Sequence, residues 1–211
     1  MNWVNIFGTK QTFLFLVFSN LILQLLITRY AITNSPKESE QKIKNNRWYS
    51  IGLFVVAFVV LMLMSLPMPI VIKFLLFCVF STIMGFIIGA RDFNETIIQT
   101  SFYGTLGIFV LMGLLGLGLN VFGINLGPRF GIGLFMGLLC LILISIFNLI
   151  TGDISHKLIS SAVVLLFSIY ILYDTNIILQ RNYAGDFISA SVAYYLDIIN
   201  VFNSLNVIND A

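Results

Sequence analysis

Asp174 and Asp197 each stand inside a long apolar stretch, in "SIYILYDTNIILQ" and "SASVAYYLDIINVF". A carboxylate near the centre of a membrane helix costs on the order of 3 kcal/mol to insert, so such residues usually face an interior cavity or mark an ion or proton path. The midpoint of the two falls beside Gly185, in the polar turn "QRNYAGD". A helical hairpin turning there brings both carboxylates to one membrane depth, roughly 10–16 Å from the turn at about 1.5 Å per residue. Carboxylates meeting in a medium of low dielectric cannot both ionise cheaply, and they share a proton. Deprotonated, they offer up to about four hard oxygens, which suit Ca²⁺ once carbonyls or water complete its shell. Proton and cation would then compete for one site. The bland alternative is that each aspartate is neutral, hydrogen-bonded and merely packs helices.

Helical periodicity gives the pair its surroundings. Ser189, Ala193, Asp197, Asn200 and Ser204 recur at helical spacing and form a small, polar stripe. Tyr170 shares a face with Asp174, Tyr173 offers a hydroxyl beside it, and Arg181 lies two turns on at the membrane edge. Tyr173, Asn200 and Arg181 are therefore expected to support the carboxylates.

The elements that must position these residues are membrane helices. The 211 residues are 59% hydrophobic and only 9% charged, with mean hydropathy +1.00, whereas soluble domains carry about 25% charged residues. Seven spans are expected, over 11–33, 49–66, 69–90, 96–118, 131–151, 156–180 and 186–208, in one transmembrane domain covering 1–211. The first is read as a retained helix, because no small-x-small cleavage site follows it. Residues 34–48, "NSPKESEQKIKNNRW", are expected to be a solvated polar loop. Short connections elsewhere make consecutive helices antiparallel neighbours. Clustered glycines, Gly104 to Gly118 and Gly131 to Gly137, read as close helix packing.

A net charge of +2 gives no nucleic-acid surface, and Cys78 and Cys140, within apolar spans, read as core filler. Among the acidic residues, Glu38, Glu40, Asp92, Glu95 and Asp210 fall in loops or at ends, and Asp153 and Asp186 precede helices they would cap. His156 reads as interfacial, and the sequon at 94–96 lies too near the membrane for glycosylation. Lys10, Lys73, Arg129 and Arg181 lie on the N-terminal side. Arg29, Lys37, Lys42, Lys44, Arg47, Arg91 and Lys157 lie on the other, so the positive-inside rule puts the N-terminus outside.

Residues 166–205, through "SIYILYDT" and "AYYLDIINVF", resemble the Bax inhibitor-1/lifeguard family of multi-pass membrane proteins. "STIMGFIIGA" and "SFYGTLGIFVLMG" are similar to its third and fourth helices. The resemblance implies an all-α bundle of seven transmembrane helices with the last one central. It implies a pH-sensitive calcium leak, with Asp174 and Asp197 as the paired-aspartate site, that lowers stored calcium and modulates cell death. The expected partners are the bilayer, calcium, protons and other membrane proteins. No tightly bound cofactor is implied, with Ca²⁺ only a permeant or weakly held ion. A cytosolic N-terminus is also implied, against the charge count, and is the orientation expected. The membrane would be that of the endoplasmic reticulum or Golgi for a eukaryotic or viral chain, and the plasma membrane for a bacterial one.

Two departures stand out. Some members resemble a latch in which a second-helix arginine pairs with the aspartates; "SIGLFVVAFVVLMLMSLPMP" carries no charge, and Lys73 is the nearest candidate. A basic C-terminal tail is also lacking, so partner binding through such a tail is not expected. Two rival functions stand beside this one. An intramembrane aspartyl protease would read Gly-x-Gly-Asp where this chain has Tyr-Ala-Gly-Asp at 183–186, so an enzyme is not expected. The other is a non-conducting interaction protein that inhibits apoptosis through helix contacts.

Overall fold

The computed structural model describes residues 3–91 and 93–210, without the side chains of 3–9 and Arg47; Asp92 lies outside the described residues. The described residues form helices only: α1 (Trp3–Thr33), α2 (Lys37–Asn45), α3 (Arg47–Met64), α4 (Ile70–Gly89), α5 (Glu95–Val121), α6 (Pro128–Thr151), α7 (His156–Gln180) and α8 (Phe187–Asp210). Seven coincide with the expected spans, and α2 corrects the expectation of a loop over 34–48. Its exposure is as expected, since none of its residues is buried. It is helical because "KESEQKIKN" is rich in helix formers, and Lys42 closes an i, i+4 ion pair of 2.8 Å on Glu38. Asn46 then starts α3 by accepting the N–H groups of Trp48 and Tyr49.

Among the described residues, five helices are long and apolar enough to cross a membrane: Lys10–Thr33 of α1, α4, α5, α6 and α7. A sixth span results if α2 and α3, which meet at 105°, are counted as one broken segment. Helix α8 falls outside this count because its apolar sequence is diluted by Ser189, Ser191, Asp197, Asn200, Asn203, Ser204, Asn206 and Asn209.

The chain divides into two compact units. The first comprises Met1–Gln11, Asn94–Tyr183 and Leu196–Ala211. Within it α7 packs against both α5 and α6, and Phe167, Ile171 and Val201 form a buried cluster flanked by Met112, Leu138 and Leu205. Five of the clustered glycines are contact points here: Gly104 faces Leu205, Gly113 and Gly116 face Thr175, with Gly116 also against Leu172, Gly131 faces Tyr173 and Gly137 faces Leu166. The tightest constraint is at Gly116, where an added Cβ would lie 2.5 Å from the Leu172 carbonyl oxygen and 2.8 Å from the Thr175 Cβ. Gly116→Ala is therefore expected to lower stability by about 1–3 kcal/mol. Gly118→Ala, where the added methyl meets open space, serves as the control. Thermal unfolding of the two variants in detergent checks this, and equal melting temperatures would contradict it.

The second unit comprises Thr12–Phe93 and Ala184–Tyr195. Gly85 and Gly89 of α4 lie against Ala31 and Ile32 of α1, so backbone meets backbone. A buried polar network joins the same elements. Ser81 donates to Gln24 Oε1 at 2.8 Å, Thr28 donates to the Ser81 carbonyl at 3.2 Å, and Tyr195 meets the Thr28 hydroxyl at 2.5 Å. Phe77 packs edge-on to the Tyr195 ring.

Two smaller expectations change. Cys140 is exposed on α6, and is not core filler; Cys78 is half-buried. Asp153 does not cap α7, whose N-cap is Ser155. His156 is exposed at the first turn of α7. Asn94 of the sequon spends its side chain capping α5, accepting from the Thr96 N–H at 3.1 Å.

Candidate functional site

Helix α7 ends at Gln180 and α8 begins at Phe187, with the turn between them at Gly185 as the sequence spacing requires. Gly185 has φ +86°, a left-handed conformation open to glycine at little cost, and Ala184 before it also has positive φ, at 49°. Lys10 secures the end of α7, its Nζ donating to the Ile178 and Arg181 carbonyls at 2.9 and 2.8 Å. A cation there also suits the negative end of the helix dipole.

Within the first unit the structure brings the carboxyls of Asp174 and Asp197 together, within reach of each other. Two carboxyls so placed can bond to each other only when one of them carries a proton. Asp197 is 3% exposed, Asp174 is half-buried, and the Asp197 Oδ2 is buried without a hydrogen-bond partner. Tyr170 lies close enough to feel the charge of both carboxylates.

The supporting residues are placed differently from one another. Tyr173 stacks on Phe130, with ring centroids 5.8 Å apart, its hydroxyl presses on Gly131, and it feels the charges of Asp174 and Arg181. Arg181 caps α7, and its guanidinium sits over the Tyr183 ring at 5.6 Å. Asn200 donates to the Leu196 carbonyl of its own helix at 2.8 Å.

Lys73 takes a different role from the expected latch. Its Nζ closes an ion pair of 2.5 Å on Asp186 and donates to Ser189 Oγ at 3.1 Å, all within the second unit. Asp186 does cap α8, accepting the Ser189 N–H at 3.0 Å and the Ser189 hydroxyl at 2.8 Å. Asp186, the aspartate of the Tyr-Ala-Gly-Asp sequence, is thus committed to a helix cap and an ion pair. Partial burial pushes its carboxyl up, but the hydrogen bonds from Lys73 and Ser189, with the Lys73 charge, outweigh this and hold it below the usual carboxylate range. A carboxyl depressed on folding contributes stability above the unfolded value of about 4, and that contribution is lost as pH falls through its folded value. Acid titration of the melting temperature should therefore show a loss below about pH 4 that is smaller in Asp186→Asn. Identical acid profiles would contradict the assignment.

Sequence reasoning passed over Asn176, which is fully buried two residues after Asp174. Its Nδ2 donates to the Ile124 carbonyl at 3.0 Å, and its Oδ1 accepts the Leu126 N–H at 2.9 Å and Gln180 Nε2 at 2.6 Å. Asn120 donates to the Asn176 carbonyl at 3.1 Å. The α5–α6 connection is thereby fastened to α7 beside the carboxylate pair. An amide in an otherwise apolar helix was the available signal.

Among the described residues, no group of three or more His, Cys, Asp or Glu side chains converges as a metal site. Calcium at the pair would need backbone carbonyls, amide oxygens or water in addition. The unpartnered Asp197 Oδ2 is a donor that fits such a ligand.

Carboxylates in a bundle of apolar helices define a multi-pass membrane protein with a buried acidic pair. The family follows from comparison: the model of the family described as Inhibitor of apoptosis-promoting Bax1 matches residues 10–209, and the chain belongs to this Bax inhibitor-1 family. It is 41% identical over 92 residues to an uncharacterized protein of Campylobacter jejuni, covering 42% of this chain and 39% of that one. It is 37% identical over 99 residues to an uncharacterized membrane protein of Vibrio cholerae, covering 45% and 44%. Protein lifeguard 4 of mouse is 31% identical over 104 residues, covering 47% and 44%. In each case the match spans less than half of the relative's length.

Proposed function

We propose that this chain is a pH-sensitive calcium leak in which Asp174 and Asp197 form one site for which proton and cation compete. The observation that carries this reading is the meeting of two carboxyls from successive apolar helices, with Asp197 Oδ2 buried and unpartnered. With the shared proton in place the pair is closed on itself. Loss of the proton leaves two carboxylates that repel each other, and a divalent cation relieves that repulsion. In this reading α3 and α8 also cross the membrane, giving seven spans with α8 central. The polar side chains of α8 then require shielding from lipid. The N-terminus is read as cytosolic, the leak lowers stored calcium and so modulates cell death, and the chain is not an enzyme. No cofactor is held tightly; the partners are lipid, calcium and protons.

The family description favours a second reading, since an inhibitor of apoptosis-promoting Bax1 acts on a protein and needs no flux. Calcium entry into liposomes holding the pure chain separates the two. A leak that responds to pH supports the first reading. No flux at any pH, with cell-death inhibition unchanged in Asp174→Asn and Asp197→Asn, would establish the second.

A further inference from the structure

The first unit carries its charges at opposite ends. Its acidic residues are Glu95, Asp153 and Asp210, at the end where α5 and α7 begin and α8 stops, and the pair Asp174 and Asp197 within the helices. Of its four basic residues, only Lys157 shares that acidic end. Lys10, Arg129 and Arg181 lie at the other, where α6 starts and α7 stops, with no acidic residue of the unit beside them.

Neither arginine is spent on packing. Both are exposed, and among the described residues neither meets a carboxylate. Arg181 rests over the Tyr183 ring, a contact that does not use up the N–H donors of a guanidinium. Lys10 adds its charge beside Arg181, whose carbonyl it holds at 2.8 Å.

The depth of Arg129 decides what anion it meets. Phe130 stacks on Tyr173, and Gly131 lies against the Tyr173 hydroxyl, eight residues before Arg181. At about 1.5 Å per residue, α6 therefore starts roughly 12 Å inside the end of α7. A headgroup layer is only about 5–7 Å deep, so with Arg181 at its outer edge the first turn of α6 stands at the acyl boundary. Phe122, 82% exposed, and Ile124, 49% exposed, sit in the connection that leads to α6, so that connection borders acyl chains rather than water. An arginine at this depth extends its head outward to the phosphate level, where a guanidinium matches phosphate oxygens with paired hydrogen bonds. A lipid phosphodiester is fixed at that level, whereas a soluble phosphate stays in the water outside it. A choline headgroup would add a cation to three that are already unmatched, so a headgroup of net negative charge fits best.

We propose that Arg129 and Arg181, with the charge of Lys10, form a docking site for the headgroup of an anionic phospholipid in the leaflet at the Lys10 end of the first unit. With a cytosolic N-terminus, this is the leaflet that carries the anionic lipids. The site stands apart from the leak reading and holds whether or not the chain conducts.

Native mass spectrometry of the full chain in neutral detergent, titrated with dioleoylphosphatidylglycerol or dioleoylphosphatidylcholine, measures the first lipid bound. Phosphatidylglycerol is expected to bind at least about tenfold more tightly than phosphatidylcholine. The preference is expected to fall to about twofold or less in the double variant Arg129→Gln, Arg181→Gln, and to persist in Lys157→Gln at the acidic end. Arg129→Lys, which keeps the charge and loses the paired donors, should fall between wild type and Arg129→Gln. Equal affinities in the wild type, or an unchanged preference in the double variant, overturn the site. Equal losses in Lys157→Gln and the double variant would mean that net charge alone draws the lipid, and also overturn it. Thermal unfolding without added lipid checks that the double variant is folded; if it is not, Arg129→Gln alone decides, with about half of the preference, on a logarithmic scale, expected to be lost. Inorganic phosphate in large excess should displace the lipid no better than chloride at equal ionic strength. Displacement by phosphate alone would make a soluble anion the occupant and overturn the lipid assignment.

Discussion

Asp197→Asn is expected to abolish the pH response of calcium entry and to lower the flux at about pH 8 by tenfold or more, the equivalent of at least ~1.4 kcal/mol. Asparagine matches aspartate in size but neither titrates nor carries charge, so the substitution removes the shared proton and half of the hard-oxygen charge while leaving the packing. Asp197 is the more telling member of the pair because it is almost fully buried and its Oδ2 is unpartnered. Asp174→Asn should lose the pH response equally, since a shared proton belongs to both residues. Liposome flux between about pH 6 and about pH 8 checks both variants. A normal pH response in either one would show that the carboxyls act independently, against a shared site.

The second large effect is on stability. Asn176→Ala removes the bonds that fasten the α5–α6 connection to α7 and leaves the Leu126 N–H and the Ile124 carbonyl without partners. Stranded polar groups of this kind cost about 1–3 kcal/mol each, so a loss on the order of 2–4 kcal/mol is expected. Asn176→Asp keeps an acceptor for Leu126 and loses only the donor to Ile124, so it should fall between wild type and alanine. Thermal unfolding in detergent measures the series. An alanine variant as stable as wild type would mean that the connection does not depend on Asn176.

The hairpin was legible in the sequence because three local signals agreed: two long apolar runs, a polar turn with glycine, and aspartates equidistant from it. Such signals act within about 30 residues of chain, and the structure meets them at Gly185. Partners chosen over long separations were not legible. Lys73 looked like a latch for the nearest acidic pair, but its partner is Asp186, 113 residues away, because the α8 cap places a carboxylate beside it. Helix α2 was missed for the opposite reason: its polarity signals exposure, and polarity alone does not distinguish a loop from a charged helix. Tyr173 and Asn200 lie near the pair in sequence, yet one packs on Phe130 and Gly131 and the other bonds its own backbone. Proximity along a helix fixes the face a residue shares, but not which group its polar atom reaches.

The most direct test of one site contested by proton and calcium is infrared difference spectroscopy of the protein with and without calcium at fixed pH. Calcium is expected to remove the band of a protonated carboxyl and to release a proton, with both signals absent in Asp174→Asn and Asp197→Asn. A carboxyl band in the wild type that calcium leaves unchanged would contradict the account.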